Sequence, residues 1–171
     1  PDITYSFYDV WAELFQVPYE RPALDDAFAL RLEDYQCENG GIVIANPNAP
    51  TGIRQSEEFL RAVIEANPNV VVIIDEAYAD FSGYTALPLV DEYENVVVVQ
   101  TFSKSRSMAG MRIGHAIGNA KLIKAMNDVR YSFNSYPMTR LSVALGVAAL
   151  SDQDYFEETT AKIVATRERT K

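Results

Sequence analysis

Short apolar runs alternate with helical patterns along most of the chain. Four runs have the length and the β-branched composition of strands. The predicted strands are Gly41 to Ala45, Val70 to Ile74, Val96 to Thr101 and Ile113 to Ile117. The first two are apolar throughout, which predicts strands that are buried on both faces. Strands that alternate with helices are typical of an α/β fold with a mostly parallel sheet flanked by helices.

Helical spacing of apolar residues predicts the elements between and around these strands. Residues 56–66 carry an apolar stripe behind Ser56, which is expected to cap the helix. The other predicted helices are 5–15, 30–38, 119–130, 139–150 and 157–171, and residues 17–30 are expected to form a connection with a short strand or turn. No internal repeat or Gly/Ser linker divides the chain into two independent domains.

Composition excludes several classes of protein. The 171 residues include 15 Lys and Arg against 24 Asp and Glu, a net charge of −9 that disfavours binding to a phosphate backbone. With 48% hydrophobic residues the chain can bury a core, but its apolar runs are far shorter than the roughly 18 residues of a membrane span. The single cysteine, Cys37, permits neither an intramolecular disulfide nor a thiolate zinc site, so we expect a cytoplasmic protein without a metal.

Both ends of the chain have the character of cut ends. The first residues lack an initiator Met and a signal-peptide pattern, and the last predicted helix has no glycine stop signal. We therefore expect a piece of a longer protein. Such a piece should leave apolar surface open, which predicts self-association.

Polar segments follow three of the predicted strands, where an open α/β sheet usually binds its ligand. They are NPNAPTG at 46–52, DEAY at 75–78 and TFSKSR at 101–106, the last continued by GMRIG at 110–114. Asp75 ends a buried strand and therefore needs a cation or several donors. Partial burial beside cations favours the neutral, nucleophilic amine of Lys104. Taken singly, the three segments also fit a tight turn, a helix cap or ion pair, and a surface cluster of cations.

Together, the three segments resemble the fold type I pyridoxal 5′-phosphate (PLP) aminotransferases, most closely the histidinol-phosphate aminotransferase group. The resemblance rests on NPNAPTG, DEAY and SKSRSMAGMRIG at 103–114, in that order. It implies that Lys104 forms a Schiff base with PLP and moves a proton between the substrate α-carbon and the C4′ atom of the cofactor. Asp75 is expected to keep the pyridine nitrogen protonated, and Tyr78 to donate to the phenolic oxygen of the cofactor.

The same resemblance assigns the remaining cofactor contacts. Ser103 and Arg112 are expected to hold the phosphate. Tyr5 falls where the group carries an aromatic ring stacked on the cofactor, although it also fits a core position at the start of a helix. The family usually has asparagine where this chain has Ala49, so Asn48 is expected to supply the amide that reaches the phenolic oxygen. Asn46 is a further candidate for that amide.

The resemblance covers the whole chain but only about half of such an enzyme. Residues 1–171 are expected to be part of the large, PLP-binding domain, without the N-terminal arm and the C-terminal small domain. The implied activity of the parent is transamination of histidinol phosphate with 2-oxoglutarate in a homodimer, whereas this piece alone should be inactive. His115, the only histidine, is expected to be a strand residue and not a catalytic base.

Other functions stay open at this stage. Threonine-phosphate decarboxylases and aromatic amino acid aminotransferases share these motifs, and the residues that select a substrate lie outside the chain. A non-catalytic module that has kept the fold is the alternative from another class. A nucleotide-binding domain is disfavoured because no G-x-G-x-x-G follows a predicted strand.

Overall fold

The computed structural model describes residues 1–170, in which one four-stranded sheet has the strand order β1-β2-β3-β4. The strands are β1 (Ile42–Ala45), β2 (Val72–Asp75), β3 (Val96–Thr101) and β4 (Gly114–Gly118). The first three strands pair in parallel, and β4 pairs antiparallel with β3. The α/β fold with a mostly parallel sheet is therefore confirmed.

Strand register brings the polar segments to one edge of the sheet. Ala45 lies beside Asp75, and Asp75 lies beside Val99, so β1 and β2 end at the same level. Thr101, the last residue of β3, pairs with Gly114, the first residue of β4. The connection 102–113 therefore begins and ends at the carboxyl edge, next to the segments that follow β1 and β2.

Six α-helices lie within the described residues. They are α1 (Phe7–Phe15), α2 (Glu57–Ala66), α3 (Leu89–Glu92), α4 (Ala120–Phe133), α5 (Arg140–Ser151) and α6 (Gln153–Thr170). The predicted cap of α2 is confirmed, because the Ser56 hydroxyl accepts a hydrogen bond from the Phe59 backbone N–H at 3.2 Å. The helices predicted at 5–15, 119–130 and 139–150 are present as α1, α4 and α5. The helix predicted at 157–171 is α6, which begins earlier, and residue 171 lies outside the described residues.

The helix predicted at 30–38 is wrong. Only a 3-10 turn, Leu32–Tyr35, forms there. Arg31 before it is extended, and the Tyr35 ring is buried in the core. The Asn67 side chain donates a hydrogen bond to the Tyr35 carbonyl at 2.6 Å. In a longer helix that carbonyl would accept a backbone N–H of the same helix, so this tertiary contact favours the turn. The segment 17–30 contains a turn in which the Asp25 carboxylate accepts two backbone N–H bonds.

The core lies between the sheet and the helices α2 and α3. Its fully buried members include Ile44, Ile74 and Val98, one from each parallel strand, with Leu60 of α2 against them. The prediction that the first strand is buried on both faces is wrong. Val43 is 40% exposed, because β1 is an edge strand and the described residues do not cover this face.

No helix among the described residues combines the length and apolar character that crossing a membrane requires.

Candidate active site

The carboxyl edge of the sheet brings Lys104, Asp75 and Tyr78 together. Asp75 is the last residue of β2, Tyr78 follows it in the same segment, and Lys104 lies in the connection after β3. Lys104 Nζ is 5.1 Å from the centre of the Tyr78 ring, within the range of a cation–π contact. The expected partial burial of Lys104 is wrong, because the residue is exposed. Within residues 1–170, its amine has no hydrogen-bond acceptor and no carboxylate partner. It is therefore available to a ligand.

Asp75 is held by two neutral donors, where the sequence suggested either a cation or several donors. Its Oδ2 accepts a hydrogen bond from the Tyr8 hydroxyl at 2.6 Å, and its Oδ1 accepts from the Ala77 backbone N–H at 3.0 Å. The carboxylate is half-buried. Two donors on two oxygens fix its plane, while each oxygen keeps a lone pair for a further partner. The end of β2 therefore offers an oriented negative charge at the same edge of the sheet as the connection that carries Lys104.

Tyr8 lies in the first turn of α1 and contacts this edge through Asp75, and Tyr5 lies just before the helix. Burial, together with the charge and the hydrogen bond of Asp75, raises the pKa of Tyr8 far above its ordinary value. The Tyr8 hydroxyl therefore stays protonated and remains a donor. Tyr5 meets Tyr8 edge to face, with ring centres 5.6 Å apart, and is 46% exposed. The predicted stacking residue thus lies next to the pair formed by Tyr8 and Asp75, with part of its ring open.

Asn48 connects the segment 46–52 to the first residues of the chain. Its Nδ2 donates to the Ile3 carbonyl at 2.9 Å and to the Thr51 hydroxyl at 3.1 Å, while its Oδ1 accepts from the Thr4 hydroxyl at 2.6 Å. The residue is 8% exposed. Both amide hydrogens of Asn48 therefore already have protein acceptors.

Asn46 has a different set of partners. It follows β1 directly, and its backbone N–H donates to the Asp75 carbonyl at 2.8 Å. Its side-chain Oδ1 accepts from the Gln55 backbone N–H at 2.7 Å. Its Nδ2 is buried without a hydrogen-bond partner among the described residues. Asn46 is thus the asparagine of this segment that retains an unused donor.

Ser103 and Arg112 lie at the two ends of the connection from β3 to β4. The Ser103 hydroxyl lies 3.0 Å from the Thr101 hydroxyl, which also lies 3.2 Å from the Ile113 carbonyl. Thr101 is paired with Gly114, which places Arg112 close to the same point of the sheet. The Arg112 guanidinium is exposed and donates through Nη1 to the Ala109 carbonyl at 3.0 Å, and no carboxylate pairs with it within residues 1–170. A hydroxyl and a guanidinium that are both able to donate suit an anionic group.

Two residues that support this edge were not expected from the sequence. Tyr8 falls within the helix predicted at 5–15, and its position three residues after Tyr5 is a signal that both reach the same site. Glu76 is 3% exposed and accepts from the Thr85 hydroxyl at 2.6 Å, the Ala86 N–H at 2.5 Å and the Gln100 amide at 2.8 Å. No sequence pattern marks these donors, because they come from distant parts of the chain.

His115 lies on β4, as predicted, and its Nε2 is 3.0 Å from the Gln100 Oε1. Gln100 therefore joins His115 to the buried Glu76. This arrangement orders the sheet behind the site and leaves His115 outside the group formed by Lys104, Asp75 and Tyr78.

Comparisons with known proteins extend over the whole chain. Residues 1–171 match the family model for aminotransferase class I and II. The histidinol-phosphate aminotransferase of Lactococcus lactis subsp. cremoris (strain SK11) is 50% identical over 171 residues, which are 100% of this chain and 48% of that protein. The enzyme of the same name from Clostridium beijerinckii is 52% identical over 169 residues, covering 99% of this chain and 47% of its own length.

A solved structure shows the same arrangement of the chain. The histidinol-phosphate aminotransferase from Sinorhizobium meliloti, in complex with pyridoxal-5′-phosphate, superimposes with a TM-score of 0.86 at 27% identity. The match covers 98% of this chain and 47% of that one. The chain thus spans about half the length of the relatives it matches. Because the family model matches the entire chain, this chain belongs to the class I and II aminotransferases.

Proposed function

We propose that the full-length protein is a PLP-dependent aminotransferase that exchanges an amino group between histidinol phosphate and 2-oxoglutarate. The observation that carries the proposal is the position of Lys104 Nζ, 5.1 Å from the Tyr78 ring and in the connection adjacent to Asp75. A free amine beside an oriented carboxylate is what this chemistry needs. The relatives that bear the name histidinol-phosphate aminotransferase support the choice of amino donor.

The side chains at the site match the functional groups of PLP. The cofactor has an aldehyde, a pyridine nitrogen, a phenolic oxygen and a phosphate. For these the site offers an amine that has no hydrogen-bond acceptor within residues 1–170, a carboxylate, a phenol, and a guanidinium and a hydroxyl at the two ends of one connection. When bound, PLP supplies an electron sink for the charge that develops on the substrate α-carbon.

Three side chains perform the chemical work in this proposal. Lys104 would hold the cofactor covalently through Nζ and, as a free amine, would move the proton between the substrate α-carbon and the C4′ atom of the cofactor. Asp75 provides the negative charge that keeps a ring nitrogen protonated. Tyr78, whose ring contacts the Lys104 amine, donates its hydroxyl to the phenolic oxygen.

The remaining contacts bind and enclose the cofactor. Ser103 and Arg112 would hold the phosphate through the hydroxyl and the guanidinium. Tyr5 covers one face of the ring and excludes water from it. Asn48 donates to the phenolic oxygen only if it exchanges one of its present acceptors, the Ile3 carbonyl or the Thr51 hydroxyl. The unpartnered Nδ2 of Asn46 makes that residue a second candidate for this donor.

The setting of the activity is part of the same proposal. Residues 1–171 are the central part of the cofactor-binding domain, and the full-length protein is a cytoplasmic homodimer. The match to only about half of each relative supports the view that residues 1–171 correspond to part of such a protein. The groups that bind the substrate carboxylate are supplied by the rest of the protein, so the isolated chain is expected to be inactive.

Replacing Lys104 tests the assignment of the nucleophile. Full-length protein with added PLP should give a near-ultraviolet or visible absorbance band that borohydride abolishes while fixing the cofactor to the protein. Lys104→Ala should show neither the band nor the fixed cofactor. Lys121→Ala, which removes an exposed lysine of α4, should match the unaltered protein. A reducible adduct that persists at this site in Lys104→Ala would overturn the assignment.

Product analysis tests the substrates. The unaltered protein supplied with histidinol phosphate and 2-oxoglutarate should form glutamate. Release of carbon dioxide from threonine phosphate, without glutamate from histidinol phosphate, would replace this reaction with a decarboxylation. Glutamate formation from phenylalanine alone would replace the donor and keep the reaction.

A further inference from the structure

Tyr8 contacts Asp75 but has no part in the proposed contacts with the cofactor. Its hydroxyl donates to Asp75 Oδ2 at 2.6 Å across 67 positions of sequence. The bond is shorter than that from the Ala77 backbone N–H to Oδ1, at 3.0 Å. A short bond between a hydroxyl and a carboxylate is among the stronger hydrogen bonds in proteins. Of the two donors on Asp75, Tyr8 is the one supplied by a side chain.

We propose that Tyr8 is a positioning residue, whose hydroxyl fixes Asp75 in the one orientation that presents its carboxylate to the ring nitrogen of bound PLP. The inference rests on the proposed function and adds a residue to its machinery. Without the Tyr8 hydroxyl, Asp75 would lose the hydrogen bond to Oδ2, and its carboxylate could rotate more freely about the Cβ–Cγ bond. Cofactor binding would then lose part of its contact with the ring nitrogen.

The surroundings of Tyr8 suit this task. Its ring is half-buried and packs at an angle against Trp11, with ring centres 6.0 Å apart, and edge to face against Tyr5. These aromatic contacts hold the ring in place. The raised pKa of Tyr8, caused first by burial and then by the charge and hydrogen bond of Asp75, keeps the hydroxyl proton in place at any pH where the enzyme would work.

A purely structural role for Tyr8 makes a different prediction. The same aromatic contacts could simply attach α1 to the sheet, and a phenylalanine would preserve them. Tyr8→Phe removes only the hydroxyl, so it separates the hydrogen bond from the packing. The readout must then depend on the ring nitrogen, because that is the atom Asp75 is proposed to meet.

Binding of pyridoxine 5′-phosphate to the cofactor-free, full-length protein provides this readout. This ligand has an alcohol in place of the aldehyde, so its affinity does not depend on a bond to Lys104. Tyr8→Phe should raise its dissociation constant about tenfold, since a hydrogen bond to a charged group is lost. The 1-deaza analogue, which has a CH group in place of the ring nitrogen, should bind Tyr8→Phe and the unaltered protein within about twofold of each other.

Tyr93→Phe is the matched control. It also removes a tyrosine hydroxyl that donates to a carboxylate, that of Glu65 at 2.7 Å, but it lies before β3, at the opposite edge of the sheet. It should leave both dissociation constants within about twofold. A second control places Tyr8→Phe in an Asp75→Ala background. There the substitution should change the affinity less than twofold, because its target is already gone.

The possible results distinguish failure of this inference from failure of the proposed function on which it rests. If the unaltered protein binds pyridoxine 5′-phosphate and Tyr8→Phe binds it equally well, the inference is wrong and the proposed function stands. Equal weakening for both ligands would show that Tyr8 only supports the fold, which also overturns the inference. If the unaltered protein does not bind the ligand at all, the proposed function fails and the inference fails with it.

Discussion

Asp75 and Glu76 are adjacent acids at the end of β2, yet they face different surroundings. Successive side chains at the end of a strand point to opposite faces. Asp75 therefore reaches the site with lone pairs to spare, while Glu76 is 3% exposed and meets three donors. One acid of the DEAY segment is thus available to a ligand, and the other joins the segment to β3 and to residues 85–86.

Glu76→Gln is expected to destabilise the protein. The substitution places an NH₂ group among three donors, the Thr85 hydroxyl, the Ala86 N–H and the Gln100 amide. At least one donor then loses its acceptor in a buried place, which costs about 1–3 kcal/mol of the free energy of unfolding. Urea unfolding measures the change. Glu94→Gln, at an exposed position before β3, is the control and should shift the midpoint little. Equal midpoints for the two variants would contradict this account of Glu76.

At the scale of elements, the sequence predicts a feature correctly where the contact that forms it joins residues close together in the chain. Ser56 caps α2 through an N–H three residues away, and this cap was predicted correctly. The segment 30–38 was predicted wrongly, because its conformation depends on Asn67, more than thirty residues away. The exposed face of β1 was also missed, because apolar composition alone does not say which strand lies at an edge.

The site shows the same difference between local features, which the sequence predicts, and long-range contacts, which it does not. The three segments that follow the strands could be found from the sequence, because a parallel sheet collects the ends of its strands at one edge. The bond from Tyr8 to Asp75 could not be found, because it joins residues 67 positions apart through the way α1 lies on the sheet. The partners of Asn48 and Asn46 likewise depend on where residues 3–4 and Gln55 pass the segment.

The antiparallel strand β4 is held against β3 by a close backbone approach at Gly118. A Cβ atom added there would lie 2.7 Å from the Val96 carbonyl oxygen, closer than packing allows. Gly118→Ala should therefore push β4 away from β3 and lower the free energy of unfolding by about 1–3 kcal/mol. Gly40→Ala is the matched control, since its added Cβ meets no atom within 4 Å. Urea unfolding that shows the same stability for both variants would rule out the close approach.

At the scale of the whole molecule, several helices leave large apolar side chains exposed, among them α1 and α5. On α1, Trp11 is 46% exposed, Leu14 69% and Phe15 66%. On α5, Leu141 is 61% exposed and Val147 60%. A monomeric protein rarely keeps apolar patches of this kind uncovered. The chain spans about half the length of its relatives, so the remaining half of a full-length enzyme is available to cover these faces.

The isolated 171-residue chain is therefore expected to self-associate. Burying the faces of α1 and α5 against a second copy removes apolar area from water at about 25 cal/mol per Å². Sedimentation velocity should show species heavier than a monomer, whose share rises with concentration. Leu14→Lys places a charge on the face of α1 and should shift the distribution towards the monomer, whereas Gln36→Lys adds the same charge at an exposed polar position and should leave it unchanged. A single monomeric species at all concentrations would contradict the prediction, and an equal response to both substitutions would show that net charge, not the face of α1, controls association.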